Sequence, residues 1–164
     1  MQSVLPPEVT DLARRVVEEN AALGRTIALA ESCTGGLVAA AITEIPGSSA
    51  VLDRAYVTYS NAAKQECLGV SGEILEAFGA VSVACVYAMA QGVLDKSEAD
   101  VAVAVSGIAG PDGGSEEKPV GKVVFARARR GEERADAENR LFECSDRADV
   151  RLQATLCALE LLLP

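Results

Sequence analysis

Histidine is absent from this sequence of 164 residues. That excludes Ser-His-Asp and Cys-His catalysis and every zinc motif that uses imidazole. A hydrolase made from this chain must take its base from Lys, Tyr, Asp, Glu or the substrate, and beside a serine nucleophile lysine is the first candidate. Tryptophan is also missing, and Phe and Tyr number three each, so the apolar 49% rests largely on Ala and Val. Such a composition suits closely packed layers rather than an aromatic-lined cage. No window approaches the roughly eighteen apolar residues of a membrane span. The amino terminus lacks the basic, then apolar pattern of a signal peptide, so a soluble, cytoplasmic protein is expected. Basic residues are scarce: fifteen Lys and Arg against twenty-four Asp and Glu give a formal charge of −9. Nucleic acid and anionic membrane are therefore disfavoured as main partners, because both need a basic footprint. The five cysteines, at positions 33, 67, 85, 144 and 157, are odd in number with no close pair, which reads as reduced thiols.

What is present reads as one domain over residues 1–164, long enough to bury a core without disulfide or metal. From Glu8, apolar residues at Val9, Leu12, Ala13, Val16 and Val17 recur at helical spacing until Gly24. Strands are expected over Thr26–Ala30 and within Val51–Tyr59. Asp100–Ser106 is the most apolar strand, suited to a central place in the sheet. Gly121–Ala128 and the segment from Arg134 towards Cys144 read as an antiparallel hairpin. Helices are expected after Ser60, Ser71, Ser82 and Asp146, each of which can cap the turn that follows. Helices alternate with strands over most of the chain. The expected fold is an α/β compact layered sandwich with helices around a mixed, largely parallel β-sheet.

Glu31-Ser32-Cys33-Thr34-Gly35-Gly36 falls where a strand turns sharply into the helix beginning at Leu37. Its free backbone N–H groups are expected to point at whatever binds there. Ser32 then has three readings: nucleophile, phosphate ligand or helix cap. A second glycine-rich stretch, Gly107 to Gly114, follows the strand expected to be central, and reads as an active-site loop or a crossover. Neither stretch has the spacing of a P-loop or a dinucleotide fingerprint. Lys64 follows Tyr59 on a short helix and reads as a surface lysine or a general base. Serving as a base near neutrality requires about 4 kcal/mol of preference for the neutral amine, which burial can supply. Arg147 and Arg151 share a helix face, either as solvated charges or as a clamp for a planar oxyanion. Cys33 beside Ser32 has no histidine to activate it.

Ala30-Glu31-Ser32-Cys33-Thr34-Gly35-Gly36, Val57-Thr58-Tyr59-Ser60-Asn61-Ala62-Ala63-Lys64 and Val105 to Gly114 with Lys118-Pro119-Val120-Gly121 together resemble the CinA carboxyl-terminal domain family. Its stand-alone members include bacterial nicotinamide-mononucleotide deamidases, and the likeness covers nearly the whole chain. The resemblance implies hydrolysis of nicotinamide mononucleotide to nicotinic acid mononucleotide and ammonia, with no cofactor and no metal, in a homodimer. It puts the nucleophile on Ser32, the base on Lys64 and an assisting tyrosine on Tyr59. Substrate contacts would come from Thr34, Gly35 and Gly36, from Ser106, Gly107 and Gly110, and from Arg147 or Arg151 at the nucleotide end. Val83 and Lys122 depart from the family pattern, where an acidic residue and a threonine are expected. A non-catalytic nucleotide-binding or protein-interaction module is the alternative.

Overall fold

Alternation of valine and alanine along the strands divides the protein into layers. The computed structural model describes residues 3–143 and 146–164. In chain order the elements are α1 (Pro7–Ala22), β1 (Ile27–Glu31), α2 (Leu37–Thr43), β2 (Leu52–Val57), α3 (Asn61–Leu68), α4 (Gly72–Phe78), α5 (Val83–Asp95), β3 (Val101–Gly107), β4 (Lys122–Arg129), β5 (Asp136–Leu141) and α6 (Arg147–Leu162). On β3, Val101, Val103 and Val105 join Ile27, Leu29 and Phe125 in the core beneath α1, α2 and α6. Ala102 and Ala104 face the other way and join Ala28, Ala30 and Ala126 beneath α3, α4 and α5. The short alanine side chains let α5 lie close against the sheet. Val9, Ala13, Val16 and Val17 are buried as the helical spacing predicts, while Leu12 is half-buried.

The sheet has the order β2-β1-β3-β4-β5, so β3 is central as expected. Its strand directions correct the expectation of a largely parallel sheet. Antiparallel pairing predominates: β3–β4 and β4–β5 pair over seven and six positions, against five in each of the parallel β1–β2 and β1–β3 pairings. The physical reason lies in the connections. Parallel neighbours need a crossover, usually helical. Helices α2 to α5 supply this for β1, β2 and β3, but residues 108–121 contain no helix and fold back at the same end of the sheet. The hairpin forms as read, though its second strand ends at Leu141, and Cys144 lies outside the described residues. Among the described residues, no helix is long and apolar enough to cross a membrane.

Candidate active site

The three parallel strands bring their carboxyl ends to one side of the sheet. Ser32 follows β1, Thr58 and Tyr59 follow β2, and Ser106 and Gly107 end β3. Hydrogen bonds extend the ladders into these exits, with Ser32 N–H donating to the Val105 carbonyl at 3.0 Å and Thr58 N–H to the Glu31 carbonyl at 2.9 Å. The chain then turns through Gly35 and Gly36 at φ of 60° and 98°, a left-handed conformation that glycine adopts freely.

Ser32 does not cap α2. The buried carboxylate of Glu31 does so from the strand side, accepting from the Thr34 hydroxyl and from the N–H groups of Gly36, Val38 and Ala39. Those helix donors, expected to be free for a ligand, are thereby taken. The Ser32 hydroxyl instead meets Lys64. Ser60 caps α3 by accepting from the Ala63 N–H, which sets Lys64 within the first turns of the helix and directs its side chain inward. Lys64 is 1% exposed, one of the largest fully buried side chains in the protein. Its Nζ donates to the Thr58 carbonyl at 2.8 Å, to the Tyr59 carbonyl at 3.2 Å and to Ser32 Oγ at 3.1 Å. Burial lowers the Lys64 pKa, because a low-dielectric surrounding disfavours the ammonium. With the amine neutral, two carbonyls take its two N–H bonds and its lone pair faces the serine, which then becomes the donor. This is the arrangement a general base needs.

Cys33 lies beside Ser32, but burial pushes its thiol up to about 11. It stays protonated near neutrality and is a poor nucleophile.

A cavity of about 260 Å³ opens over Ser32 and Lys64. Tyr59, Ser106, Gly107, Gly110 and Arg147 also line it. Arg147 spans the mouth, donating to the Gly110 carbonyl and the Tyr59 hydroxyl. Cys33 and the rest of the glycine-rich loop, Asp112 included, share the wall with Ala80 and Val81, which the sequence reading did not assign to the site. Thr34, Gly35, Gly36 and Arg151 lie behind the serine turn rather than on this cavity. Thr34 gives its hydroxyl to Glu31, and Arg151 donates to the carbonyls of Cys33 and Thr34. A larger cavity, about 460 Å³ with apolar walls from Leu5, Val9, Leu37 and Leu152, lies on the Arg151 side and includes neither Ser32 nor Lys64. Val83 opens α5 with its side chain exposed, and Lys122 opens β4 half-buried; neither lines the site cavity.

The chain is 56% identical over 147 residues to the nicotinamide-nucleotide amidohydrolase PncC of Enterobacter agglomerans, covering 88% of each. It is 46% identical to a CinA-like protein of Syntrophotalea carbinolica, where it spans 97% of itself but 39% of that longer relative. The solved structure of the competence/damage inducible protein CihA from Agrobacterium tumefaciens superposes with a TM-score of 0.94 at 48% identity, covering 98% of this chain and 97% of that one. Residues 9–164 match the CinA C-terminal domain, and this chain belongs to that family.

Proposed function

We propose that this protein hydrolyses the carboxamide of nicotinamide mononucleotide, giving nicotinic acid mononucleotide and ammonia, with Ser32 as nucleophile and neutral Lys64 as its base. The observation that carries the reading is the Lys64 Nζ to Ser32 Oγ approach of 3.1 Å at the floor of a cavity, with no histidine in the chain. The likeness to PncC, a nicotinamide-nucleotide amidohydrolase, supports the substrate class.

As Ser32 Oγ attacks the carboxamide carbon, its proton passes to the Lys64 lone pair. The new C–O bond leaves charge on the amide oxygen. With the N–H groups of Gly36, Val38 and Ala39 held by Glu31, that charge is met from the cavity lining, where the Cys33 N–H, the Ser106 hydroxyl and the glycine-rich loop stand. Protonated Lys64 then delivers its proton to nitrogen as the C–N bond breaks and ammonia leaves. Water, deprotonated by the same amine, attacks the ester and frees Ser32. Tyr59 orients this machinery, giving its carbonyl to Lys64 and its hydroxyl to Arg147.

Of the two arginines, Arg147 reads the phosphate, because it stands at the cavity mouth. Arg151 is committed to the turn carbonyls. Homodimer assembly is proposed on the family resemblance, and sedimentation equilibrium tests it. The decisive experiment measures ammonia release from nicotinamide mononucleotide by the wild type and by Ser32→Ala. Turnover by the first and not the second is expected. Tight nucleotide binding by calorimetry without turnover by the wild type would favour a non-catalytic module instead.

A further inference from the structure

The turn bearing Ser32 is gripped from two sides by ionic groups that face away from the cavity. On the strand side, Glu31 Oε1 accepts from the Thr34 hydroxyl at 2.6 Å, the Gly36 N–H at 3.2 Å and the Val38 N–H at 3.0 Å, while Oε2 accepts from the Ala39 N–H at 3.0 Å. On the α6 side, Arg151 Nε donates to the Cys33 carbonyl and Nη2 to the Thr34 carbonyl, both at 3.1 Å. The carboxylate thus collects donors from residues 34, 36, 38 and 39, and the guanidinium collects the carbonyls of residues 33 and 34. Among the described residues, the two groups form no ion pair with each other.

Such a turn needs holding. Two consecutive left-handed glycines give it a large conformational freedom in the unfolded chain and no side chains to pack. Gly35 also admits the clamp, since a Cβ there would stand 3.3 Å from Arg151 Nη2. A fork with two parallel donors matches two successive carbonyls, which a lysine cannot do. Misplacing a reacting atom by about 1 Å costs about a hundredfold in rate.

We infer that Glu31 and Arg151 are positioning residues that jointly hold the Ser32 hydroxyl within reach of Lys64. This rests on the Ser32–Lys64 reading above and adds to it the means by which the nucleophile is aimed.

The test measures the rate at which phenylmethanesulfonyl fluoride labels Ser32, followed by intact mass. The Ser32 O–S bond forms, the S–F bond breaks with fluoride leaving, and Lys64 takes the hydroxyl proton. Ser32→Ala sets the background. Glu31→Gln places an amide N–H₂ against N–H donors. Arg151→Ala removes both carbonyl contacts, and Arg151→Lys retains at most one. Labelling and kcat should fall about tenfold or more in Glu31→Gln and Arg151→Ala. Arg151→Lys should lie between, KM should change less than about twofold, and circular dichroism should report folded protein. Should Glu31→Gln fail to fold, Thr34→Val removes a single Glu31 contact and carries the same expectation in milder form. Labelling rates and kcat equal to wild type in the folded variants would overturn the clamp. A graded loss of labelling, with wild type unable to turn over nicotinamide mononucleotide, would sink the substrate assignment and leave the clamp standing.

Discussion

Arg147 Nη2 donates to the Tyr59 hydroxyl at 2.7 Å while its Nη1 donates to the Gly110 carbonyl at 2.8 Å. One guanidinium therefore ties the exit of β2 to the loop after β3 across the mouth of the cavity. Tyr59 is 58% exposed and its hydroxyl is spent on Arg147, while the serine proton has a direct route to Lys64. Tyrosine and arginine thus form one device at the mouth of the cavity, and lysine and serine another at its floor.

The first expectation separates these devices. Arg147→Ala should raise KM for the mononucleotide far more than for the corresponding riboside, since a charge-assisted hydrogen bond contributes about 1.5–3 kcal/mol. Tyr59→Phe frees Arg147 from one partner and should raise KM severalfold with a smaller fall in kcat. Steady-state kinetics on both substrates checks this. A Tyr59→Phe enzyme with unchanged KM and kcat reduced a thousandfold would give the hydroxyl a proton-transfer role instead.

The pH dependence follows from Lys64. Burial lowers its pKa below the ordinary 10.5, so within that interval the unfolded chain binds the proton and the folded chain does not. Stability attributable to this residue therefore rises with pH across the interval; the penalty is full below the folded pKa and gone above the unfolded one. Two measurements should agree. The wild-type kcat/KM should rise with pH through an apparent pKa well below 10.5, the ordinary lysine value. The melting temperature of wild type relative to Lys64→Met should climb over the same range. A flat difference between the two proteins would mean that Lys64 keeps an unshifted pKa.

Much of this was legible in the chain because it was local. Ser60, Ser71, Ser82 and Asp146 each accept from the N–H three residues on, as cap residues in those positions should. The missing histidine pointed to lysine, and Lys64 does lie against Ser32. What escaped depends on distance along the chain or on strand direction. Glu31 caps α2 from five to eight residues upstream, outside any local cap pattern. Arg151 reaches Cys33 across 118 positions, so its use on carbonyls has no sequence signature. A central strand covered on both faces is apolar whichever way its neighbours run, so the apolar run of β3 suggested a largely parallel sheet although β3 pairs antiparallel with β4.

Packing of α3, which carries Lys64, depends on Gly92 of α5. A Cβ at Gly92 would stand 2.0 Å from the Leu68 carbonyl oxygen at the end of α3, a main-chain atom that cannot rotate away. Alanine is favoured over glycine inside a helix by about 1 kcal/mol. Overpacking typically costs about 1–3 kcal/mol, and a backbone clash sits at the upper end. Gly92→Ala should therefore be destabilised by about 1–2 kcal/mol net, lowering Tm by about 2–8 °C. Because the strain falls on α3, kcat should drop as well. Thermal unfolding and steady-state rates test both, and a variant as stable as wild type would mean that the two helices separate at little cost.

The strongest expectation concerns Ser32 and Lys64 as a unit. Their contact has no other base within it, and among the described residues no carboxylate pairs with Lys64 to hold it charged. Ser32→Ala should abolish amide hydrolysis while leaving ligand affinity nearly intact, because the hydroxyl is used in bond making. Lys64→Ala should be comparably inactive, and the double variant little worse than either, as expected when two residues serve one step. Intact mass after rapid quench should find a nicotinoyl adduct that maps to Ser32. The neighbouring thiol, held protonated at about 11, should stay unmodified. An adduct on Cys33 would keep the amidase and transfer the nucleophile. Substantial turnover by Ser32→Ala would instead leave Lys64 activating water, and a wild-type acyl intermediate should then be missing at every quench time.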